Sequence, residues 1–205
     1  MQEIISRSNI YALLSRIMLQ ELDVGLVELF KKDPVVLEFF TNWSEWELKD
    51  SKAAKELLEE NLDPDFVNLS LLHLTPYETF YTRADQMIET GGANPVTDIY
   101  SAYGFTVDFE VARVVSPDHI GIELEFMHHL CESHKKALEE GNDEMVREFI
   151  EIEHHFLNTH LLKWAPMYLI SMKYEARTPL YYDAAEATLE FLLSDNELLS
   201  PLVGS

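Results

Sequence analysis

Two histidine clusters of the same design could bind metal ions. Glu125-Phe126-Met127-His128-His129 is followed by His134, and Glu151-Ile152-Glu153-His154-His155 is followed by His160 at the same spacing. Pairs of Glu-x-x-His elements on separate helices supply the ligands of di-iron and di-manganese carboxylate bundles, because residues i and i+3 share a helix face. The repeat therefore raises the hypothesis of a di-metal oxidoreductase.

The predicted faces of these two helices argue against a metal centre. At about 100° per residue, Glu125 falls far to the side of the apolar stripe of its helix, and Glu151 points nearly opposite the stripe of the next helix. The stripes consist of Ile120, Leu124, Met127, Cys131 and Leu138 on the first helix and of Met145, Phe149, Ile152, Phe156 and Trp164 on the second. Carboxylates that face water do not build a buried di-metal site, so we expect no bound metal and no other cofactor. The sequence also lacks a glycine-rich phosphate loop and the HExxH, CxxC and GxSxG motifs.

The chain that carries these residues is predicted to be all-helical. Only 7 glycines occur in 205 residues, and apolar residues recur every three or four positions. Helix starts are indicated at Asp33-Pro34, Asp63-Pro64, Thr75-Pro76, Ser116-Pro117 and Thr178-Pro179, and capping boxes at Ser44 with Glu47 and at Thr75 with Glu78. The predicted helices cover 2–20, 23–32, 34–42, 45–60, 64–73, 76–88, 97–103, 106–113, 117–140, 143–163, 165–176 and 179–194. We expect a bundle of about ten or more helices in one domain over residues 1–194, with a frayed tail over 195–205.

The charge balance limits the class of partner. The chain has 15 Lys and Arg and 37 Asp and Glu, a net charge of −22, which repels nucleic acids and anionic membranes. Between Arg83 and Lys135 the only basic residue is Arg113, against nine acidic residues. A cationic ligand is therefore expected, unless the acidity serves solubility alone.

The cellular compartment is also indicated by the sequence. No uncharged run reaches the roughly 18 residues of a membrane span. The stretch Met1–Arg7 does not resemble a secretory signal, and the single cysteine, Cys131, suits a reducing compartment. We expect a cytoplasmic protein without stable membrane insertion.

Three stretches resemble the motifs of a known family. The first is Pro76-Tyr77-Glu78-Thr79-Phe80-Tyr81, and the second is Ser116-Pro117-Asp118-His119 with the helix that follows. The third is His160-Leu161-Leu162-Lys163-Trp164-Ala165-Pro166, with Thr178-Pro179-Leu180-Tyr181 downstream. In order and spacing these stretches are similar to the conserved elements of the redox-enzyme maturation chaperones, the TorD/DmsD/NarJ family.

The resemblance implies an all-helical cytoplasmic chaperone without catalytic activity. Such a chaperone holds the catalytic subunit of a molybdopterin-dependent oxidoreductase, often through its twin-arginine leader, until the cofactor is inserted. A leader with two arginines beside an apolar segment requires carboxylates and an aromatic groove. For the arginines we expect Asp118, oriented by His119, with Glu123 as a second acid, and for the groove wall Tyr77, Phe80 and Tyr81. The identity of the client stays open, as does the choice between a monomer and a helix-exchanged homodimer.

Each candidate residue also has a structural interpretation. Asp118 would occupy the second position of a helix that begins at Ser116-Pro117, where the helix dipole stabilises a carboxylate by about 0.3–1 kcal/mol. The i, i+3 spacing of Tyr77 and Phe80 suits a core, and His119 could bond a loop carbonyl. His160 and Trp164 are expected to belong to the core.

Overall fold

The computed structural model describes residues 1–204, and within them the chain forms helices and no β-strand. The all-α prediction is thus confirmed. The α-helices are α1 Gln2–Leu19, α2 Val24–Phe30, α3 Pro34–Phe39, α4 Thr41–Glu45, α5 Glu47–Ser51, α6 Ala54–Leu57, α7 Asp63–Val67, α8 Glu78–Thr82, α9 Thr97–Ala102, α10 Phe109–Ala112, α11 Ile120–Glu140, α12 Asp143–Phe156, α13 Leu162–Glu175 and α14 Pro179–Leu199. Wider π-helical turns span Leu58–Leu62, Asn68–His73 and Leu157–Leu161, and a 3-10 turn spans Ser200–Leu202. Among the described residues, no helix is long and apolar enough to cross a membrane.

The helices group into two compact units. The first contains Met1–Leu19, Pro76–Ala165 and the chain from Phe191 onward, and the second contains Gln20–Thr75 and Pro166–Glu190. The single domain predicted over residues 1–194 remains a prediction, because the division into two units does not test it.

Helix α11 forms the centre of the first unit, where it packs against α1 and α12. It begins after His119, ends at Gly141 in the left-handed conformation (φ 66°), and is followed by Asn142, whose side chain accepts from Met145 N at the start of α12. Gly121 lets α1 approach closely, because a Cβ at this position would lie 2.4 Å from Leu19 Cγ. The close packing of α1 on α11 therefore depends on the absence of a side chain at residue 121.

A buried ionic network joins the two ends of the chain inside the first unit. The Arg7 guanidinium donates to Glu153 Oε2 (2.7 Å) and to Asp195 Oδ2 (3.0 Å), and the Tyr11 hydroxyl donates to the same Asp195 oxygen (2.6 Å). This contact explains why the structure differs from the frayed tail predicted from residue 195. Asp195 is buried, and α14 continues to Leu199.

In the second unit, two buried aspartates hold loops to helix ends. Asp65 accepts from Thr178 N (2.8 Å) and Thr178 Oγ1 (2.7 Å) just before α14 begins. Asp183, inside α14, accepts from Trp43 N (2.7 Å) and from the Asn42 side chain (2.6 Å). These contacts connect residues more than 100 positions apart and fix both segments of the unit on each other.

The predicted helix starts have mixed outcomes. Asp33 caps α3 as expected, because its side chain accepts from Val35 N and Val36 N. Both capping boxes are wrong: α5 and α8 have no side-chain cap bond, and Ser44 lies inside α4. The helix predicted from Ser116-Pro117 begins only at Ile120, because the residues before it pair with another segment.

Candidate functional site

The first two family-like stretches meet in a buried contact of the first unit. Glu78 N donates to Asp118 O (3.0 Å) and Ile120 N donates to Pro76 O (2.9 Å), which makes an isolated antiparallel bridge between Tyr77 and His119. We call the segments Pro76–Thr79 and Ser116–Ile120, joined in this way, the motif junction. The junction sets the direction in which α8 and α11 leave their first residues.

Asp118 holds the motif junction together from inside. Its carboxylate is fully buried, Oδ2 accepts from Thr79 N (2.7 Å) and Thr79 Oγ1 (2.6 Å), and Oδ1 pairs with the Ser116 hydroxyl. The helix-dipole interpretation is wrong, because Asp118 precedes α11 instead of lying in its first turn. Asp118 could contact a client arginine, as the sequence predicts, only if these hydrogen bonds broke.

His119 is the N-cap residue of α11. Its Nδ1 accepts from Gly121 N (3.1 Å), and the Tyr77 ring meets the imidazole edge-on at a centroid distance of 5.1 Å. Burial lowers the pKa of His119 to about 3, and the nearby Asp118 charge opposes this effect only in part. The imidazole is therefore neutral at physiological pH, which the acceptor role of Nδ1 requires.

A second buried cluster lies behind the motif junction. Trp164 Nε1 donates to Glu123 Oε2 (3.1 Å), and His160 Nδ1 bonds to Glu78 Oε2 (2.9 Å). Burial, with the neighbouring charge of Glu78 as a smaller cause, holds the pKa of Glu123 well above its usual range. Because Oε2 accepts from the indole, a protonated Glu123 carries its proton on Oε1, a buried atom without a hydrogen-bond partner among the described residues.

The aromatic candidates divide into buried and accessible residues. Tyr77 is buried, whereas Phe80 and Tyr81 are half-buried. Tyr81 stacks on Trp164 with ring centroids 5.5 Å apart, and Phe80 meets Tyr81 edge-on at 5.2 Å. Trp164 is fully buried, as expected for a core residue. Of the six residues predicted from the sequence, Phe80 and Tyr81 are the two that are accessible on the surface, while the other four form the interior beneath them.

The two histidine clusters meet only through His134 and Glu153, and their two Glu-x-x-His elements are not brought together around a common site. Glu125 and Glu151 are exposed, as their helical faces predict. His129 Nε2 bonds to the Tyr103 carbonyl oxygen (2.9 Å), and His134 pairs with Glu153 (2.9 Å). Within residues 1–204, no three His, Cys, Asp or Glu side chains are grouped as a metal ion requires.

Sequence reasoning missed two residues that complete the motif junction. Thr79 supplies two of the donors to Asp118, and the Asn94 side chain donates to the Ser116 hydroxyl (3.0 Å) and to the Glu89 carbonyl (2.8 Å). Asn94 is buried although it lies in a Gly- and Pro-rich loop. The signal in the sequence was the Asn94-Pro95 pair, which is typical of a turn fixed by its own side chain.

The segment that contains these residues matches a known protein family. A family model described as "Nitrate reductase delta subunit" matches residues 36–169, which include the motif junction and all six predicted site residues. The chain belongs to this family. The resemblance inferred from the three stretches is thereby confirmed.

Curated relatives of the chain carry one name. A protein named "Chaperone protein TorD" from Vibrio cholerae serotype O1 is 27% identical over 129 residues, which cover 62% of this chain and 56% of that protein. The protein of the same name from Aliivibrio salmonicida is 27% identical over 177 residues, which cover 79% of this chain and 80% of the relative. The match therefore spans just over half the length of the Vibrio cholerae relative. No solved structure matches the chain.

Proposed function

We propose that this protein is a cytoplasmic chaperone for the maturation of a molybdopterin-dependent oxidoreductase, without catalytic activity of its own. The observation that carries the proposal is the family match over residues 36–169, within which the first two family-like stretches join at one place. The name of the relatives, a chaperone, supports it at 27% identity.

The client is recognised through its twin-arginine leader, its apo catalytic subunit, or both. A net charge of −22 attracts a basic leader over a long distance and accelerates the encounter. The half-buried rings of Phe80 and Tyr81 can pack against the apolar side chains of such a leader. The surface on which the client binds is held in place by four buried residues beneath it, Tyr77, Asp118, His119 and Glu123.

The di-metal alternative is not proposed further. Its two essential carboxylates, Glu125 and Glu151, face solvent, and the histidines that accompany them bond to other groups of the protein.

A titration with two synthetic leaders tests the function. A twin-arginine leader peptide is expected to bind with a Kd of about 1 μM, equivalent to about −8 kcal/mol. A matched peptide with two lysines should bind more weakly, because an ammonium group lacks the bidentate fork of a guanidinium. Raising the ionic strength from low to physiological should slow association more than it changes dissociation.

A second arm of the experiment uses the client itself. An apo catalytic subunit with its leader should form a stable complex with the chaperone in size-exclusion chromatography, and loading with molybdopterin cofactor should release it. If neither the leader nor the apo subunit binds, the proposed function is wrong.

A further inference from the structure

The first unit exposes four large apolar side chains at internal positions of the chain. Met87, Phe109, Val111 and Val115 are exposed by 61, 46, 66 and 61%. The other exposed large apolar residues described in this unit lie at the chain ends, at Met1, Leu193, Leu202 and Val203. Exposed apolar residues that are gathered in one surface region mark interaction sites more often than isolated ones do.

Hydrogen bonds bring this region together beside the motif junction. The Asn94 side chain donates both to Glu89 O (2.8 Å) and to Ser116 Oγ (3.0 Å), and Glu89 N donates to Thr79 Oγ1 (3.0 Å). The segment with Met87 therefore runs along the segment with Val115, since each of these residues is within two positions of a bonded partner. Helix α10 carries Phe109 and Val111, six and four residues before Val115, and is separated from Val115 by Arg113 in the left-handed conformation (φ 56°) and Val114. We call Met87, Phe109, Val111 and Val115, with the acidic residues Asp85 and Glu89, the docking face.

The two acidic residues of the docking face already hold a guanidinium group. Arg83 Nε and Nη2 donate to the two oxygens of Asp85 (2.9 and 2.7 Å), and Nη1 donates to Glu89 Oε2 (2.6 Å). The hydrogen bonds from Arg83 lower the pKa of Asp85 to about 2. The arrangement is solvent-accessible, with the Arg83 side chain 38% and the Asp85 side chain 51% exposed.

We propose that the docking face binds a client segment in which an arginine lies beside an apolar run, and that Arg83 occupies the place of the client arginine until the client binds. The inference rests on the proposed function and adds the docking face to the accessible rings of Phe80 and Tyr81. The apolar run covers Met87, Phe109, Val111 and Val115. The client guanidinium takes the bidentate contact with Asp85 and the second contact with Glu89, while Arg83 turns to solvent.

Charge complementarity selects this occupant over a second copy of the chain. The docking face is acidic, and a copy with a net charge of −22 would be repelled. An arginine matches the planar two-carboxylate geometry that Arg83 shows, whereas a lysine does not. Exchange of one exposed ion pair for another changes little free energy, so the apolar contacts decide whether the client replaces Arg83.

The test uses the full chain and two probes, a peptide with two adjacent arginines followed by an apolar run and its two-lysine counterpart. Arg83→Gln removes the internal competitor, so the arginine peptide should bind about three- to tenfold more tightly, with a smaller gain for the lysine peptide. In the Arg83→Gln background, where no internal competitor offsets the contact, adding Asp85→Asn/Glu89→Gln should cancel this gain and weaken the arginine peptide about three- to tenfold. Its control is Glu139→Gln/Glu144→Gln, which removes the same charge from exposed positions of the same unit.

The apolar half of the docking face has a matched control in the second unit. Val115→Ser should weaken both peptides several-fold, whereas Val35→Ser, at a valine that is 59% exposed, should leave both affinities unchanged. Circular dichroism checks that each variant remains folded. If the parent protein binds the arginine peptide and the Arg83, Asp85/Glu89 and Val115 variants behave like their controls, the docking face is wrong and the proposed function stands. If the parent protein binds neither peptide, the docking face is overturned as well, and binding of the apo catalytic subunit then decides the proposed function.

Discussion

Replacement of Asp118 by asparagine separates a structural role from a direct contact with the client. In Asp118→Asn the amide nitrogen can face the Ser116 hydroxyl, which donates to Glu89 O, while the amide oxygen still accepts from Thr79 N and Oγ1. Those two bonds lose their charge assistance. Hydrogen bonds to charged groups contribute about 1.5–3 kcal/mol and neutral ones about 0.5–1.5 kcal/mol, so the two changes together cost about 2 kcal/mol of unfolding free energy.

The assay for Asp118→Asn is thermal and chemical unfolding combined with leader titration. A loss of about 2 kcal/mol lowers Tm by about 4–8 °C in a chain of this size. Asp118→Ala should destabilise more, because the buried Thr79 N–H then has no acceptor. The exposed Asp98 in the first turn of α9 provides the control, Asp98→Asn, which loses only the helix-dipole contribution of about 0.3–1 kcal/mol and should lower Tm less than Asp118→Asn does.

Leader affinity decides between the two roles of Asp118. We expect it to change less than twofold at a temperature at which Asp118→Asn is folded, because the carboxylate does not reach the surface. If Tm is unchanged and affinity falls about tenfold or more, as expected for loss of a contact with a client arginine, the structural role is refuted.

Two further substitutions test the buried polar cluster and the helix packing of the first unit. Because burial raises the pKa of Glu123, the folded state holds a proton that the unfolded state loses above about pH 4.5, and stability falls as the pH rises. Glu123→Gln should therefore raise Tm at pH 8 and have less effect at pH 5, whereas the exposed control Glu139→Gln should change Tm little at either pH. A pH-independent effect of Glu123→Gln would contradict the shifted pKa. Gly121→Ala should lower the unfolding free energy by about 1–3 kcal/mol in urea titrations, because its Cβ would lie 2.4 Å from Leu19 Cγ; higher stability, from the better helix propensity of alanine, would show that α1 does not pack so closely.

The long helices of the first unit could be predicted from the sequence because their signals are local. The predicted 117–140 corresponds to α11 Ile120–Glu140, and the predicted 2–20 to α1 Gln2–Leu19. Apolar periodicity over many turns and a glycine at the C-terminal end of α11 define such helices without knowledge of their neighbours.

The short helices of the second unit could not be predicted in the same way. The predicted helix over 45–60 is instead divided among α5, α6 and a π-helical turn, after a break at Trp46, whose backbone is extended (φ −76°, ψ 101°). Nearby Trp43 is fully buried, with its indole N–H bonded to Phe30 O (3.0 Å). Burial of this large side chain outweighs the local helix propensity, and a contact 13 residues away is not visible in a local pattern.

The same limit explains the outcome at the candidate site. The sequence placed Asp118 in a helix because Ser116-Pro117 has the local form of a helix start. The partner that prevents the helix, Thr79, is 39 residues away, and it draws the carboxylate inward. The sequence thus indicated which stretches form the site. The direction of each side chain depends on the pairing of Pro76–Thr79 with Ser116–Ile120, which a local pattern does not show.

The energies of the two possible acceptors decide where a client arginine binds. To reach Asp118, a guanidinium would have to replace two hydrogen bonds to a charged group, each of about 1.5–3 kcal/mol, inside a fully buried junction. To reach Asp85, it has to displace only the exposed pair with Arg83, and such pairs contribute about 0–1 kcal/mol. Association also costs free energy because the leader becomes ordered. A client arginine therefore binds first at the acceptor whose existing contacts cost less free energy to displace. In the proposed mode of binding, Asp118 and Thr79 keep the motif junction closed, so that Ser116 and Asn94 hold Glu89 in place for the client.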